Sequence, residues 1–218
     1  RQIKELKQND VLQEFIIVKN STGKETSLKL TLAGRHNALN ATAAFIVSQK
    51  AGINIKIIKE SFMNFGGVSR RMEHKGEIII NKNKVKLIDD YGHHPTEIKA
   101  TIDAVKATNP NKKISMIFQP HRFSRSIFLF DEFIECLSEL DNVVILDIYS
   151  AGEQNQENIS AYSFVNALVD KGKNAFFAKN LKQICKHLDS VVGDKEILIT
   201  QGAGNIVDIS NSIKAIYK

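Results

Sequence analysis

The apolar positions of this chain follow two periods, and the change from one to the other divides it. Near the N-terminus, Val11 to Lys19 and Thr26 to Thr31 alternate apolar and polar residues on either side of the turn-rich Asn20-Ser21-Thr22-Gly23-Lys24, which predicts a β-hairpin. Two helices are expected next. Asn37 to Ala51 is rich in Ala and Leu and stops at Gly52, while Asn54 to Asn64 places Ile55, Ile58 and Phe62 at helical spacing. The segment Phe65-Gly66-Gly67-Val68-Ser69-Arg70-Arg71 then has the glycines of a loop.

From Gly76 onward, short apolar runs alternate with amphipathic stretches. Strands are predicted at Glu77 to Ile80, Val85 to Asp89, Ile114 to Gln119, Val143 to Ile148, Ala175 to Ala178 and Ile197 to Thr200. Helices are predicted at Thr96 to Thr108, Ser124 to Leu140, Ala161 to Lys171, Leu181 to Val191 and Ile206 to Ile216. In the second of these helices Ile127, Phe130, Ile134 and Leu137 form a core stripe. Repeated strand–helix units of this length give an α/β fold, a Rossmann-like, mostly parallel sheet with helices on both faces. Residues 76–218 are therefore expected to form one domain. Residues 1–75 hold a hairpin and two helices with little core of their own, so they are expected to be part of a larger domain whose remainder is missing.

Composition adds exclusions. The formal charge of +6 does not point to nucleic acid, because the lysines are scattered rather than grouped with aromatics. No apolar run reaches the roughly 18 residues of a membrane span, and the first residues lack the apolar core of a signal peptide, so a cytoplasmic protein is expected. Cys136 and Cys185 have neither CxxC spacing nor a His at ligand distance and read as buried free thiols; no metal site is expected from them. The arginines are more informative. Of six, five (Arg35, Arg70, Arg71, Arg122, Arg125) fall in three short segments of a chain that otherwise uses lysine. Such clustering suggests sites that need the planar fork of guanidinium to hold carboxylate or phosphate.

Ligands of open α/β sheets gather beyond the carboxyl ends of strands. Three such ends carry polar chemistry: Asp89-Asp90-Tyr91-Gly92-His93-His94-Pro95-Thr96-Glu97, Gln119-Pro120-His121-Arg122-Phe123-Ser124-Arg125, and Gln201-Gly202-Ala203-Gly204-Asn205 at a helix start suited to an anion. Each also has a plainer reading. Asp90 could cap a helix, His93 and His94 could be ordinary surface histidines, Arg122 and Arg125 could pair with Asp131 and Glu132, and Gly202-Ala203-Gly204 could be a tight turn. Convergence of all three segments on one cleft favours a site. Tyr91, His93, Arg122 and Arg125 are expected to line it, at the ends of adjacent strands.

The first two of these segments resemble signatures of the alanine-adding branch of the Mur ligase family. Gly34-Arg35-His36-Asn37-Ala38-Leu39-Asn40-Ala41 is similar to the family's adenine-side element, and Phe65 to Arg71 to its interdomain linker. The resemblance implies an ATP- and Mg²⁺-dependent ligase that activates the carboxylate of UDP-N-acetylmuramate as an acyl phosphate and joins it to L-alanine. It implies that residues 1–75 are the end of the central ATP-binding domain with its linker, and residues 76–218 the C-terminal domain. It also implies roles: His36, Asn37 and Asn40 at adenine, Asp90 at ribose, Arg71 at the transferred γ-phosphate, and Tyr91, His93, His121, Arg122 and Arg125 around the alanine and muramate carboxylates. Imidazole is suited to take a proton from an ammonium group near neutrality, and either His93 or His121 could do so, although for both the plainer expected role is to position substrate. The 218 residues contain no GxxxxGK[ST] phosphate loop. The missing N-terminal domains are expected to supply that loop and the metal ligands, so the chain alone is expected to be inactive. Two rival readings remain at this point: a murein-peptide-recycling ligase that joins a tripeptide to the same nucleotide sugar, and a non-catalytic Rossmann-like binding module.

Overall fold

The computed structural model describes residues 2–8, 12–32 and 34–218. By its contacts the chain forms two compact units, Arg1–Ser69 with Asp103–Pro110, and Arg70–Ile102 with Asn111–Lys218.

The first unit contains three antiparallel strands in the order β1 (Gln2–Gln8), β2 (Gln13–Val18), β3 (Glu25–Leu30), and two helices, α1 (Arg35–Lys50) and α2 (Ile55–Met63). Val11, the expected start of the hairpin, lies outside the described residues; the paired part of the hairpin is β2 and β3. Strand β1 was not expected, because Ile3 and Leu6 are three apart and do not alternate. A β-bulge between Ile3 and Glu5 explains the spacing, since the extra residue resets the pleat and lets both side chains pack on one core. That core joins Phe15, Ile17, Leu28 and Leu30 of the sheet to Phe45 of α1 and Ile58 of α2. Each such fully buried side chain contributes about 1.5–3 kcal/mol. Asn54 starts α2 by accepting the N–H of Lys56 at 2.8 Å.

The second unit runs β4 (Glu73–Ile80), β5 (Asn83–Asp90), the first half of α3 (Pro95–Thr108, whose residues from Asp103 on group with the first unit), β6 (Ile114–Phe118), α4 (Phe123–Phe128), α5 (Phe130–Leu137), β7 (Asn142–Ile145), α6 (Ala161–Asp170), β8 (Asn174–Phe177), α7 (Leu181–Val191), β9 (Ile197–Gln201), α8 (Ile206–Ile216). Its six strands lie in the order β4-β5-β9-β6-β7-β8, with β4 antiparallel to β5 and the rest parallel. Asn81 and Lys82, both with φ above zero, make the tight turn that joins the antiparallel pair. Strands β6, β7 and β9 are buried at every position, as helices on both faces require. On one face Leu87, Ile117, Val144 and Leu198 pack against Ile184 and Leu188 of α7 and Ile206 and Ile213 of α8. On the other, Phe118 meets Phe133 of α5, which meets Phe164 of α6.

Two expectations need correction. The helix expected from Ser124 to Leu140 is two helices, because Leu129 leaves helical geometry at φ −115°, ψ 27°. The break turns the stripe: Ile134 and Leu137 are buried, whereas Ile127 and Phe130 are only partly covered and Phe128 is 83% exposed. Strands β5 and β6, whose ends carry the two histidine segments, are not adjacent, since β9 lies between them.

Candidate ligand site at the carboxyl ends of the parallel strands

The floor of the site is a network of buried polar side chains. Asp89, fully buried at the end of β5, accepts from Arg70 Nε at 3.0 Å and from Thr200 Oγ1 at 2.7 Å, and Arg70 Nη2 also donates to the Gly202 carbonyl at 2.6 Å. Asp90 is 4% exposed. Its carboxylate accepts the N–H groups of Met72 and Gly92, each at 2.8 Å, and Gln201 Nε2 at 2.7 Å, so here it shapes the turn after β5. At the end of β6, Gln119 donates to Asn205 Oδ1 at 2.8 Å and accepts the N–H of Ile206 at 3.1 Å.

That last bond decides how the glycines of Gly202-Ala203-Gly204 read. The helix start expected to suit an anion has its Ile206 N–H taken by Gln119. A Cβ at Gly202, where φ is +148°, would stand 2.8 Å from the Gln119 carbonyl, and one at Gly204 would stand 2.5 Å from Gln119 Oε1 and 2.8 Å from the Tyr149 ring. The glycines serve close packing of the two loops.

Above this floor runs a line of rings. Tyr91 meets His93 edge-on at 5.4 Å, His93 meets His121 at 5.5 Å, and Tyr149 stacks on His121 at 5.4 Å and 12°. The guanidinium carbons of Arg70 and Arg71 lie 5.2 and 5.5 Å from the Tyr91 ring centroid, within cation–π range. Glu97, in the first turn of α3, accepts the N–H groups of His93 at 3.0 Å and His94 at 3.2 Å and pairs with Arg71 Nη1 at 3.2 Å. This is one half of a capping box, and it ties the histidine turn to the helix. Burial alone would raise the Glu97 pKa; the N–H of His93 and the Arg71 guanidinium outweigh it, and the net shift is downward.

The second histidine segment is held differently. Arg122 has φ +72°, unusual for a residue with a Cβ, and is fixed there by its N–H on the Tyr149 carbonyl at 2.8 Å and by its own carbonyl, which accepts Ser126 Oγ at 2.8 Å. Its guanidinium pairs with Glu153 at 3.3 Å rather than with Asp131 or Glu132, as one plainer reading had it. Glu153 also accepts the N–H and hydroxyl of Ser124, and the N–H bond is the first cause of its lowered pKa. Arg125 Nη1 lies 3.4 Å from His121 Nδ1. Burial, then His93, Arg125 and Arg122, lower the His121 pKa, and Glu153 opposes them. Beside these residues opens a depression of about 800 Å³ lined by His94, Arg122, Ser124, Arg125, Phe128 and Glu157, among others.

Of the residues singled out from the sequence, Tyr91, His93, His121 and Arg125 are thus joined by direct contacts, Arg122 follows in the next position, and Arg71 reaches Tyr91 and Glu97. His36, Asn37 and Asn40 stand in the first turns of α1 in the other unit, Asn37 buried and Asn40 exposed. Tyr149, Glu153 and Gln201 were not foreseen in the roles they hold. Tyr149 and Glu153 follow the apolar run of β7, so the rule that pointed to the other strand ends points to them too. Among the described residues no group of three or more His, Cys, Asp or Glu side chains could hold a metal ion, and no residue of this chain is assigned to one.

A mostly parallel sheet with an antiparallel edge hairpin, and polar, arginine-bearing loops at the carboxyl ends of the parallel strands, defines a Rossmann-like α/β domain. Residues 70–204 match the family described as Mur ligase, glutamate ligase domain, and the chain belongs to the Mur ligase family. It is 38% identical over 213 residues to the UDP-N-acetylmuramate–L-alanine ligase of Ruthia magnifica subsp. Calyptogena magnifica, covering 97% of this chain and 45% of that protein. The enzyme of the same name from Vesicomyosocius okutanii gives the same figures. Among solved structures, the UDP-N-acetylmuramate-alanine ligase of Thermotoga maritima matches with a TM-score of 0.78 at 27% identity, over 97% of this chain and 44% of that one. The murein peptide ligase of Psychrobacter arcticus shares the fold, with a TM-score of 0.65 at 17% identity over 97% of this chain and 43% of that one. The chain therefore spans about 45% of the length of the curated relatives it matches. No helix among the described residues is long and apolar enough to cross a membrane.

Proposed function

We propose that the protein carrying this chain joins L-alanine to UDP-N-acetylmuramate at the expense of ATP, with Mg²⁺, through an acyl phosphate. In this reading residues 1–75 belong to the ATP-binding domain and residues 76–218 are the C-terminal domain that receives the amino acid. His36, Asn37 and Asn40 attend the adenine, Asp90 holds the turn that faces the ribose, and Arg71 meets the transferred phosphoryl group. Tyr91, His93, His121, Arg122 and Arg125 surround the two substrate carboxylates.

What supports this most directly is the grouping at the carboxyl ends of β5 and β6. Two guanidinium groups three residues apart line one depression, and Arg125 also reaches His121, whose ring lies against His93 and, through it, Tyr91. Guanidinium holds carboxylate in a bidentate fork and keeps its charge at every physiological pH. Alanine and the lactyl arm of muramate each present one carboxylate, and a ligase has to bring them together. Catalysis here is largely positioning and charge stabilisation.

The test is product formation by the full-length protein given ATP, UDP-N-acetylmuramate and either L-alanine or a tripeptide. Alanine-dependent formation of the amide supports the reading. Activity with the tripeptide alone would assign the protein to murein-peptide recycling instead.

A further inference from the structure

His93 and His121 face different partners, and those partners fix where each ring carries its proton. His93 Nδ1 lies 3.1 Å from the main-chain carbonyl of Tyr91. A carbonyl oxygen only accepts, so Nδ1 bears the proton and the lone pair of the neutral ring is left on Nε2. The Glu97 carboxylate, 3.6 Å from the same Nδ1, also only accepts and so favours this tautomer.

His121 has the opposite setting. Its Nδ1 lies 3.4 Å from Arg125 Nη1, and guanidinium only donates, so Nδ1 is the acceptor and the proton resides on Nε2. Protonating this ring would place a second positive charge against Arg125. Its lowered pKa has the same sense. Tyr149, nearly parallel to the ring, and the bond from Tyr149 N–H to the Pro120 carbonyl at 2.8 Å hold the imidazole in place. With ring centroids 5.5 Å apart, the two histidines are neighbours of opposite hydrogen-bonding capacity.

We infer that His93, through Nε2, is the base that accepts the proton of the incoming ammonium group, and that His121, through Nε2–H, is a hydrogen-bond donor to oxygen at the reacting carbon. This rests on the ligase reading above. In the step, the ammonium gives one proton to His93 and the freed electron pair of nitrogen forms the C–N bond to the acyl phosphate. The C–O bond then breaks, its electron pair leaving on phosphate, and the second proton of the amine departs with that phosphate. The groups facing His93 are Glu97 from α3, Tyr91 from its own turn and His121 from the loop after β6, with Arg71 behind Glu97 and Arg125 behind His121.

The experiment compares two nucleophiles in the full-length enzyme at pH 7. Alanine must lose a proton before attack, whereas hydroxylamine is largely uncharged there and traps acyl phosphate as hydroxamate without a base. His93→Gln should lower alanine ligation about a hundredfold more than hydroxamate formation, and the gap should narrow as pH rises and free amine becomes plentiful. His121→Gln, which keeps an N–H near the position of Nε2, should change both nucleophiles in proportion. Equal losses for both nucleophiles in His93→Gln, or a selective loss of alanine ligation in His121→Gln, overturn the assignment. If the wild-type enzyme forms neither amide nor hydroxamate, the ligase reading itself falls. A measurement independent of any variant is ¹⁵N NMR of the imidazoles: an unprotonated Nε2 in neutral His93 and an unprotonated Nδ1 in His121 are expected, and the reverse pattern overturns the inference.

Discussion

Glu153 holds Arg122 across 31 positions of chain, from a loop that returns to the site only after β7 has been laid down. One carboxylate both pairs with the guanidinium and accepts the Ser124 N–H and hydroxyl, so it aims the side chain and anchors the start of α4 together. Glu153→Gln in the full-length enzyme is expected to raise KM for the carboxylate substrate bound by Arg122 several-fold while changing kcat less. Steady-state kinetics with alanine and nucleotide sugar varied in turn would show it. An unaltered KM for both would detach Glu153 from substrate binding.

Arg70 and Asp89 should matter to stability. Asp89 is fully buried, and the Arg70 side chain that neutralises it is 14% exposed. Removing one partner of a buried pair leaves an uncompensated charge, so Arg70→Ala should cost about 3–5 kcal/mol, read from the urea midpoint. Adding Asp89→Asn to that variant should recover part of the loss. Independent, additive losses would show that the pair is not coupled.

Arg71 is a different case despite being next in sequence. Its side chain is 44% exposed and pairs with the partly exposed Glu97. Arg71→Ala in the full-length enzyme should therefore fold normally, with kcat lower by on the order of a hundredfold and ATP affinity less affected, as for a contact strongest in the transition state. Unchanged kcat would remove Arg71 from the mechanism.

His187 makes stability depend on pH. Its ring stacks on Phe176 at 4.4 Å and 6°, its Nε2 is buried with no partner among the described residues, and burial lowers its pKa from 6.5. Because the folded value is below the unfolded one, the unfolded chain binds the proton more readily. The associated stability is complete above pH 6.5 and is lost as pH falls through the lowered folded value. His187→Phe keeps the stack and removes the titration. Thermal melts across pH should show a gain of about 1 kcal/mol near neutrality and a shallower decline on the acid side. An identical pH slope would count against His187.

Much of the second unit was legible because burial on both faces forces continuous apolar runs, as at Ile114–Phe118 and Ile197–Gln201. The elements that escaped did so for identifiable reasons. Strand β1 hides behind its bulge. The break at Leu129 lies in a run whose apolar spacing is unbroken, so tertiary packing alone sets it. Residues at the ends of β5 and β6 could be singled out by type, but that β9 separates them is a long-range fact no local pattern contains. Glu153 lies in the stretch after β7 to which the strand-end rule points, but that rule does not say which loop residue meets which partner; only the fold brings it to Arg122.

The place of β9 also governs the order in which the domain can assemble. Of the six strands of this sheet it is the last in chain order, and it is the middle one by which β5 and β6 are joined, pairing with both. Until it arrives, the β4–β5 hairpin and the β6–β7–β8 layer have no hydrogen-bonded seam between them, and each exposes an open sheet edge that can pair with another nascent chain. Closure must await the strand that comes last in the sheet's chain order, so the domain folds by long-range contacts and slowly. The buried links from Gln201 to Asp90 and from Thr200 to Asp89 form in that same final event, so the site cannot be organised before the sheet is complete.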